Sequence, residues 1–168
     1  MGTDWTQVEG DVELDWSGTL EEAEFYVANT DVDESFYADY LSVNRVIKVE
    51  AEDHTILGTV SVSTDVNASD GEVVTGLGLA DGNGIQIFNT PAAKNLRVYL
   101  NSLDHGTPSI YVNGVHNKNV YFTPTSTMSA PGKMVNVGSV GLVDGDTLSI
   151  RSDFWDADAN LDYLEFEY

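Results

Sequence analysis

The amino-acid sequence predicts an all-β protein, a β-sandwich of the jelly-roll type with mainly antiparallel strands. At least eight short runs alternate apolar and polar residues, as half-buried strands do. Turn signals rich in Gly, Asn and Asp separate these runs at fairly even intervals. No segment combines the length and the 3.6-residue period of a long helix, and this combination is typical of sandwiches and jelly rolls.

The first 47 residues give mixed signals, and we assign them to a strand-rich N-terminal extension without a defined role. Trp5–Val8 and Val12–Trp16 alternate like strands, with a turn signal at Gly10-Asp11 between them. Leu20–Val27 fits a short helix by propensity and a strand by its aromatic and β-branched residues. No functional motif stands out in this part of the chain.

From Val46 onward the strand signals are sharper, and the turns between the strands are recognisable. Strands are predicted at Val46–Glu52, Gly58–Ser63, Glu72–Gly76, Gly84–Asn89, Leu96–Leu100, Ser109–Val112, Asn119–Pro124, Met134–Val140 and Thr147–Ile150. Asn113-Gly114 is the strongest hairpin signal, because both residue types tolerate the positive φ angles of a type I′ turn. Pro91 predicts a loop between two strands, because proline cannot donate a hydrogen bond to a central ladder.

Near the C-terminus, oxygen-bearing side chains occupy every second position, at Asp156, Asp158, Asn160 and Asp162. On an extended chain these side chains share one side, and the carboxylates repel one another unless a cation or a positive partner intervenes. A hard cation such as calcium is therefore the first expectation. The spacing does not match the helix-flanked calcium loop, because Leu161 stands where that loop requires glycine.

Charge limits the partners of the protein. Its 168 residues include 28 acids and 7 bases, for a formal net charge of −21. Nucleic acid is excluded as a partner, because no basic surface is available to neutralise phosphates. No membrane partner is expected either, because an anionic lipid surface would repel the protein and no apolar run is long enough to span a bilayer. The acidity is explained either by a saline habitat, in which acidic surfaces remain soluble, or by several calcium sites.

The sequence contains chemically reactive residue types but no catalytic set. Without cysteine there are no disulfides, zinc–thiolate sites or cysteine nucleophiles. His54, His105 and His116 lack the paired spacing of metal ligands, and no Gly-x-Ser-x-Gly motif is present. The glycine-rich segment 76–84 lies between strands, whereas a phosphate cradle needs a helix behind it. We therefore expect a protein that is not an enzyme.

Six segments in a fixed order carry a family resemblance. They are the Glu-Ala-Glu opening strand at 49–53, the turn and strand at 67–78, the strand and Pro-Ala-Ala turn at 85–93, the Tyr-Val-Asn-Gly hairpin at 109–114, the hairpin at 140–148 and the closing strand at 160–166. In this order they resemble the β-jelly-roll carbohydrate-binding modules of families 6, 35 and 36. The resemblance covers residues 48–168 and leaves residues 1–47 outside the module. It implies binding of polysaccharide or oligosaccharide by part of a larger exported protein, which is extracellular or on the cell surface.

The resemblance also implies a structural calcium ion. In these modules the opening Glu-Ala-Glu and an aspartate of the last strand bind the ion, and by position these residues are Glu50, Glu52 and Asp162. Carboxylate oxygens are the ligands that calcium prefers. An ion that joins the first and last strands would stabilise the folded domain.

A sugar-binding cleft, formed by loops at one end of the sandwich, is implied in the same way. The asparagine that precedes the closing strand in these modules matches Asn160. The usual aromatic positions are occupied by Val73-Val74 and Met128. Trp155 and Asp156 are the groups left to supply ring stacking and hydrogen bonds to a sugar.

Two functions follow from these observations. The first is a non-catalytic carbohydrate-binding module with a structural calcium ion. The second is a structural or adhesive jelly-roll domain of a surface protein or appendage that has lost the sugar cleft. The missing aromatic residues favour the second hypothesis, which predicts self-association or a protein partner. Residues 1–47 are then either the interface or an addition packed on the sandwich.

Overall fold

The computed structural model describes residues 45–153 and 157–168 of the chain. In these residues eleven β-strands form two antiparallel sheets, one of six strands and one of five. The strands are β1 (Val46–Glu50), β2 (Thr55–Leu57), β3 (Ser61–Thr64), β4 (Glu72–Thr75), β5 (Gly84–Thr90), β6 (Asn95–Asn101), β7 (Ser109–Val112), β8 (Val115–Asn119), β9 (Lys133–Gly138), β10 (Asp146–Arg151) and β11 (Asn160–Glu167). The elements predicted before residue 45 lie outside the described residues.

The six-stranded sheet has the order β3-β4-β11-β6-β9, with β1 also paired to β11. β6 pairs along one edge of β11. On the other edge, β1 pairs with residues 163–167 of β11 and β4 pairs with Leu161. The five-stranded sheet has the order β2-β5-β10-β7-β8. A single 3₁₀ turn, Leu77–Leu79, is the only helical element among the described residues. The prediction of an all-β sandwich of the jelly-roll type is confirmed.

Apolar side chains from both sheets fill the space between them. The largest fully buried ones are Phe166, Leu77, Ile85, Leu96, Leu100, Ile110, Leu148, Ile150, Leu161, Leu164, Val74 and Val98. Ile47 and Val49 of β1 pack against this core from the side of Phe166 and Leu164, to which they are paired. Among the described residues the first strand of the sandwich thus begins at Val46, and the resemblance had been traced from residue 48.

A β-bulge interrupts the closing strand β11. Leu161 is paired with Leu100 and Leu164 with Val98, so two residues of β11, Asp162 and Tyr163, lie opposite Tyr99 alone. A strict period of two cannot place residues 161 and 164 on the same face, whereas one extra residue allows it. The bulge therefore lets both leucines reach the core and gives Asp162 a position outside the regular pleat.

The β7–β8 hairpin differs from the prediction in one strand. Asn113 and Gly114 have φ angles of 51° and 77°, as the predicted tight turn requires. Pairing resumes immediately after the turn, with Val112 opposite Val115, so the returning strand is β8 and the predicted strand Asn119–Pro124 was wrong. The polar composition of β8 concealed it, since four of its five residues are His, Asn or Lys. An edge strand needs no second apolar face.

Lys118 of β8 connects the edges of the two sheets. Its Nζ donates hydrogen bonds to the carbonyl oxygens of Ser139 at 2.5 Å and Val137 at 3.2 Å. Val137 belongs to β9, the edge strand of the six-stranded sheet.

The described residues contain no helix with the length and apolar character needed to cross a membrane.

Candidate functional site

The three predicted metal ligands lie in the region where β1 pairs with β11. Glu50 is paired with Tyr163, and the backbone N–H of Ala51 donates to the carbonyl oxygen of Asp162 at 3.0 Å. The chain turns after Glu50, with the N–H of His54 donating to the Ala51 carbonyl at 3.4 Å. The alternation had predicted that Glu50 and Glu52 share one face of a strand. In the structure Glu52 instead lies in the turn that follows the strand. The turn nevertheless keeps Glu52 within electrostatic reach of Glu50 and Asp162.

Three carboxylate oxygens in this cluster are buried without a hydrogen-bond partner. They are Oε2 of Glu50 and both oxygens of Glu52. Burial raises the pKa of Glu52, the backbone N–H of Glu52 itself opposes the rise, and the nearby negative charges of Glu50, Asp53 and Asp162 add to it. A buried carboxylate oxygen without a partner is costly, because it has lost water and gained nothing in exchange. A hard cation is the kind of partner that these oxygens lack.

Asp162 is almost fully buried and accepts two backbone hydrogen bonds. Its Oδ1 accepts from the N–H of Ser69 at 3.0 Å and its Oδ2 from the N–H of Gly132 at 3.3 Å. Burial raises the pKa of Asp162 and the charge of Glu50 adds to the rise, while the two N–H donors oppose it. Throughout residues 45–153 and 157–168, no three Asp, Glu or His side chains are already gathered closely enough to hold a metal ion. The unpartnered oxygens of Glu50 and Glu52 fit a cation, and the Asp162 side chain is directed at backbone amides.

Two residues that sequence reasoning missed complete this cluster, Lys48 and Ser69. The Ser69 hydroxyl donates to Oε1 of Glu50 at 2.8 Å, and Lys48 Nζ lies 3.2 Å from the same oxygen and 2.7 Å from the Ser69 hydroxyl. Lys48 could have been found, because it lies two residues before Glu50 and so on the same face of β1. Ser69 gave no signal, since only the fold brings the turn between β3 and β4 to the end of β1.

Asp65, also missed, holds the loop that follows β8 against the start of the β3–β4 turn. Its carboxylate accepts hydrogen bonds from the Ala130 N–H at 2.8 Å, the Ser129 hydroxyl at 2.8 Å and the Asn67 N–H at 3.0 Å. The hydrogen bonds from the Asn67 and Ala130 amides lower the pKa of Asp65, so it is held as a carboxylate. Together with Asp162 and Gly132, Asp65 fixes residues 129–132 from the side of the metal-ligand cluster.

The predicted sugar-binding residues are described only in part. Trp155 and Asp156 lie outside the described residues. Asn160, the first residue of β11, is half-buried, and its Nδ2 donates to the Met128 carbonyl at 2.8 Å. Val73, which stands where these modules usually have an aromatic ring, is only 3% exposed and offers no surface for stacking.

Loops from four parts of the chain form the end of the sandwich around Asn160. Leu77 donates its N–H to the Ala159 carbonyl at 3.3 Å, and Ser102 donates its hydroxyl to the Asp158 carbonyl at 2.7 Å. Thr125 in turn donates its N–H to the Ser102 carbonyl at 2.7 Å. The segment that leads into Asn160 is therefore bonded on two sides to its neighbouring loops.

The glycine-rich segment predicted at 76–84 has a structural role at this end. A Cβ atom on Gly78 would overlap the carbonyl oxygen of Ala157. Only glycine permits this close approach of two backbones. The segment therefore lies directly against the loop that precedes Asn160, and its glycines do not cradle a phosphate.

Comparisons by sequence find no matching family model and no matching curated protein. Comparisons by structure find similar solved proteins. A family 35 carbohydrate-binding module from Clostridium thermocellum matches with a TM-score of 0.59 and 23% identity, over 70% of this chain and 96% of that module. The exo-β-1,3-galactanase of Phanerochaete chrysosporium, solved with galactose, matches with a TM-score of 0.61 and 22% identity, over 76% of this chain and 30% of the enzyme.

A catalytic domain of a family GH87 α-1,3-glucanase in complex with nigerose matches with a TM-score of 0.59 and 18% identity. The match covers 72% of this chain and 28% of that domain. The chain thus spans less than a third of each enzyme structure but nearly the whole of the family 35 module. The described part of the chain therefore has the β-sandwich fold of the carbohydrate-binding modules that its sequence resembles.

Proposed function

We propose that this chain is a non-catalytic carbohydrate-binding module of an exported protein, with a glycan site in its end loops and a structural calcium ion. The observation that carries the proposal is the match to the family 35 carbohydrate-binding module, because it covers 96% of that module. The order of the six sequence segments supports the same function. The galactose and nigerose in the two enzyme structures support sugars as the class of ligand.

Calcium would be held by Glu50 and Glu52, with Asp162 as the ligand from the last strand. The support for this assignment is the set of three buried carboxylate oxygens without partners. When bound, the ion supplies positive charge that compensates for the lost hydration of these oxygens. Lys48 and Ser69 would then hold Oε1 of Glu50 and leave its Oε2 directed at the ion.

The glycan site would include Asn160 with Trp155 and Asp156 from the preceding loop. The bond from Asn160 to the Met128 carbonyl fixes the amide plane, and a fixed planar amide is suited to hydrogen bonds with sugar hydroxyls. The share of each enzyme structure that this fold occupies supports the proposal that the module is part of a larger protein. In both of them the matching fold makes up less than a third of a longer glycan-active protein, as expected of a module joined to other domains.

The test is a glycan-binding experiment with the whole chain in calcium and in chelator. Galactose, nigerose and an array of neutral and uronic-acid oligosaccharides are the probes. We expect binding to at least one glycan and unchanged products after long incubation, since the proposed module does not cleave its ligand. If no probe binds in calcium, the proposed binding function is wrong. If shorter sugars are released, the proposed non-catalytic character is wrong.

A second candidate function is a structural or adhesive jelly-roll domain that has lost the sugar cleft. The burial of Val73 favours it, because the usual stacking surface is absent at this position. This function predicts self-association or a protein partner, with residues 1–47 as the interface. Sedimentation equilibrium over a range of concentrations tests the self-association, because a self-associating domain gains mass with concentration.

A further inference from the structure

Tyr121 and His105 form an exposed aromatic pair at the same end of the sandwich as Asn160. Tyr121 is 62% exposed, and its hydroxyl lies 2.9 Å from Nδ1 of His105. The two ring planes are inclined by only 24°, with their centroids 5.9 Å apart, so both rings face the same way. The hydrogen bond fixes the orientation of both rings before any ligand arrives, which lowers the entropy cost of binding.

The backbone beneath this pair is held in place by the core. Phe122 is buried, and it forms an antiparallel bridge with Gly106, with its N–H donating to the Gly106 carbonyl at 3.1 Å. A Cβ on Gly106 would overlap the Phe122 ring, so the glycine allows the ring to lie against the backbone. Since successive side chains of an extended chain point to opposite sides, the inward Phe122 directs the neighbouring Tyr121 outward.

Hydrogen-bonding groups beside the rings are free to meet a ligand. With the Tyr121 hydroxyl as donor, Nδ1 of His105 accepts, and the neutral imidazole carries its proton on Nε2. Among the described residues no hydrogen bond reaches this Nε2. Lys133 bonds to the Thr123 hydroxyl at 2.7 Å and takes part in none of the three ion pairs in the described parts of the chain. The Nε2–H of His105 thus lies beside the rings, and the Lys133 ammonium is held at Thr123, two residues after Tyr121.

The pair is also bonded to the loop that leads into Asn160. The Ser102 hydroxyl lies 2.7 Å from the carbonyl oxygen of Asp158, to which it donates its one proton, and it also lies 3.0 Å from the carbonyl oxygen of Asp104. Asp104 is the residue before His105, and its Oδ1 accepts the His105 N–H at 2.8 Å. A glycan that contacts Asn160 therefore has a fixed neighbouring surface on which to continue.

We propose that Tyr121 and His105 form a pyranose-binding subsite next to the Asn160 site, a proposal that rests on the carbohydrate-binding function. The C–H face of a sugar ring packs on the exposed Tyr121 ring, and Nε2–H of His105 donates to a sugar hydroxyl. Lys133 donates to a further hydroxyl or to the carboxylate of a uronic acid. This arrangement replaces the stacking surface that Val73 and Met128 do not provide.

The test is titration calorimetry of the whole chain with galactose, nigerose and the strongest oligosaccharide found on the array. Tyr121→Ala should weaken binding about tenfold and Tyr121→Phe about threefold, because the second change keeps the ring and removes only the hydroxyl. His105→Ala should fall between them. Phe88→Ala is the matched control, since Phe88 is a 55% exposed aromatic residue on the five-stranded sheet, and this change should leave affinity unaltered. Thermal unfolding of each variant verifies that it is folded.

The outcomes separate the subsite from the general function. If Tyr121→Ala binds within twofold of the wild type while Asn160→Ala loses affinity, the subsite is refuted and the carbohydrate-binding function stands. If the wild type binds no probe, both fail. Equal losses in Tyr121→Ala and Phe88→Ala would also refute the subsite, since the effect would then not be local. Loss of the Tyr121 effect in high salt with a uronic-acid probe alone would assign the binding energy to Lys133 and refute ring stacking.

Discussion

The backbone N–H of Ala51 donates to the carbonyl oxygen of Asp162 at 3.0 Å, and this bond continues the ladder between the first strand of the sandwich and the last. The residues on either side of Ala51 are the two glutamates with unpartnered oxygens. The strand ends that pair the first strand with the last thus carry two glutamates beside Asp162. A cation at this point would act on the stability of the whole sandwich.

Calcium should therefore raise the melting temperature of the wild-type chain. At a concentration one hundred times the dissociation constant, we expect a rise of about 8 °C. Glu52→Gln should remove most of the rise, because it replaces two charged oxygens with a neutral amide. Glu72→Gln changes an exposed glutamate of β4 and serves as the control with a normal response. A wild-type melting curve that is the same in calcium and in chelator would contradict the calcium assignment.

The raised pKa of Glu52 predicts that the free energy of unfolding depends on pH when a chelator removes calcium. Burial raises the pKa of Glu52 above its ordinary value of 4.5, so in the folded state this group keeps its proton to higher pH than in the unfolded state. As pH rises above 4.5, the unfolded state binds fewer protons than the folded one, and this group's contribution to the free energy of unfolding falls.

Glu52→Gln should thus melt at the same temperature as the wild type near pH 4 and above it at about pH 7, in chelator. In saturating calcium at the higher pH, the wild type should melt above the Glu52→Gln variant. Calorimetric melting at both pH values measures the crossing. A variant less stable than the wild type in chelator at neutral pH would show that the Glu52 carboxylate is stabilised by partners other than an ion.

Asp65→Asn should loosen the loop that holds Asn160. The variant keeps the size of the side chain but loses the charge that strengthens its bonds to Ser129 and Ala130. We expect faster amide hydrogen exchange at Ala130 and weaker glycan binding, with a calcium response close to that of the wild type. Asp70→Asn, an exposed acid in the same turn, is the control. Unchanged exchange at Ala130 would show that the other bonds of the loop suffice to hold it.

Leu164→Ala should destabilise the domain by about 2–5 kcal/mol, because the leucine is fully buried beside the bulge of β11. Met134→Ala removes a 47% exposed side chain from the edge strand β9 and should change the free energy of unfolding by about 0.5 kcal/mol or less. Urea unfolding of both variants compares them directly. Similar losses would indicate that the core is not concentrated under β11.

Much of the fold could be predicted because alternation and turn chemistry are local properties. Asn113-Gly114 fixed a hairpin from two residues, and its φ angles agree with the prediction. The alternation failed at β8, whose edge position requires no apolar face, and at Glu52, where the chain turns one residue after the strand ends.

The candidate site was less predictable, because its contacts join distant parts of the chain. Glu50 and Asp162 could be proposed from the resemblance, but Ser69 meets them only through the pairing of β1 and β4 with β11. No periodicity in the sequence encodes such contacts. The contact between Tyr121 and His105 could not be predicted either, because the two residues are 16 positions apart and one isolated β-bridge brings them together.

The bulge in β11 has a consequence for how the domain can change over time. With Asp162 removed, Leu161 and Leu164 would be two positions apart and would still both face the core, on a strand with an unbroken pleat. The carboxylate at the crowded strand ends is thus carried by a supernumerary residue that the core does not need. A single-codon deletion would remove the aspartate and its bonds to Ser69 and Gly132, and a single insertion would restore them, with both leucines facing the core in each case.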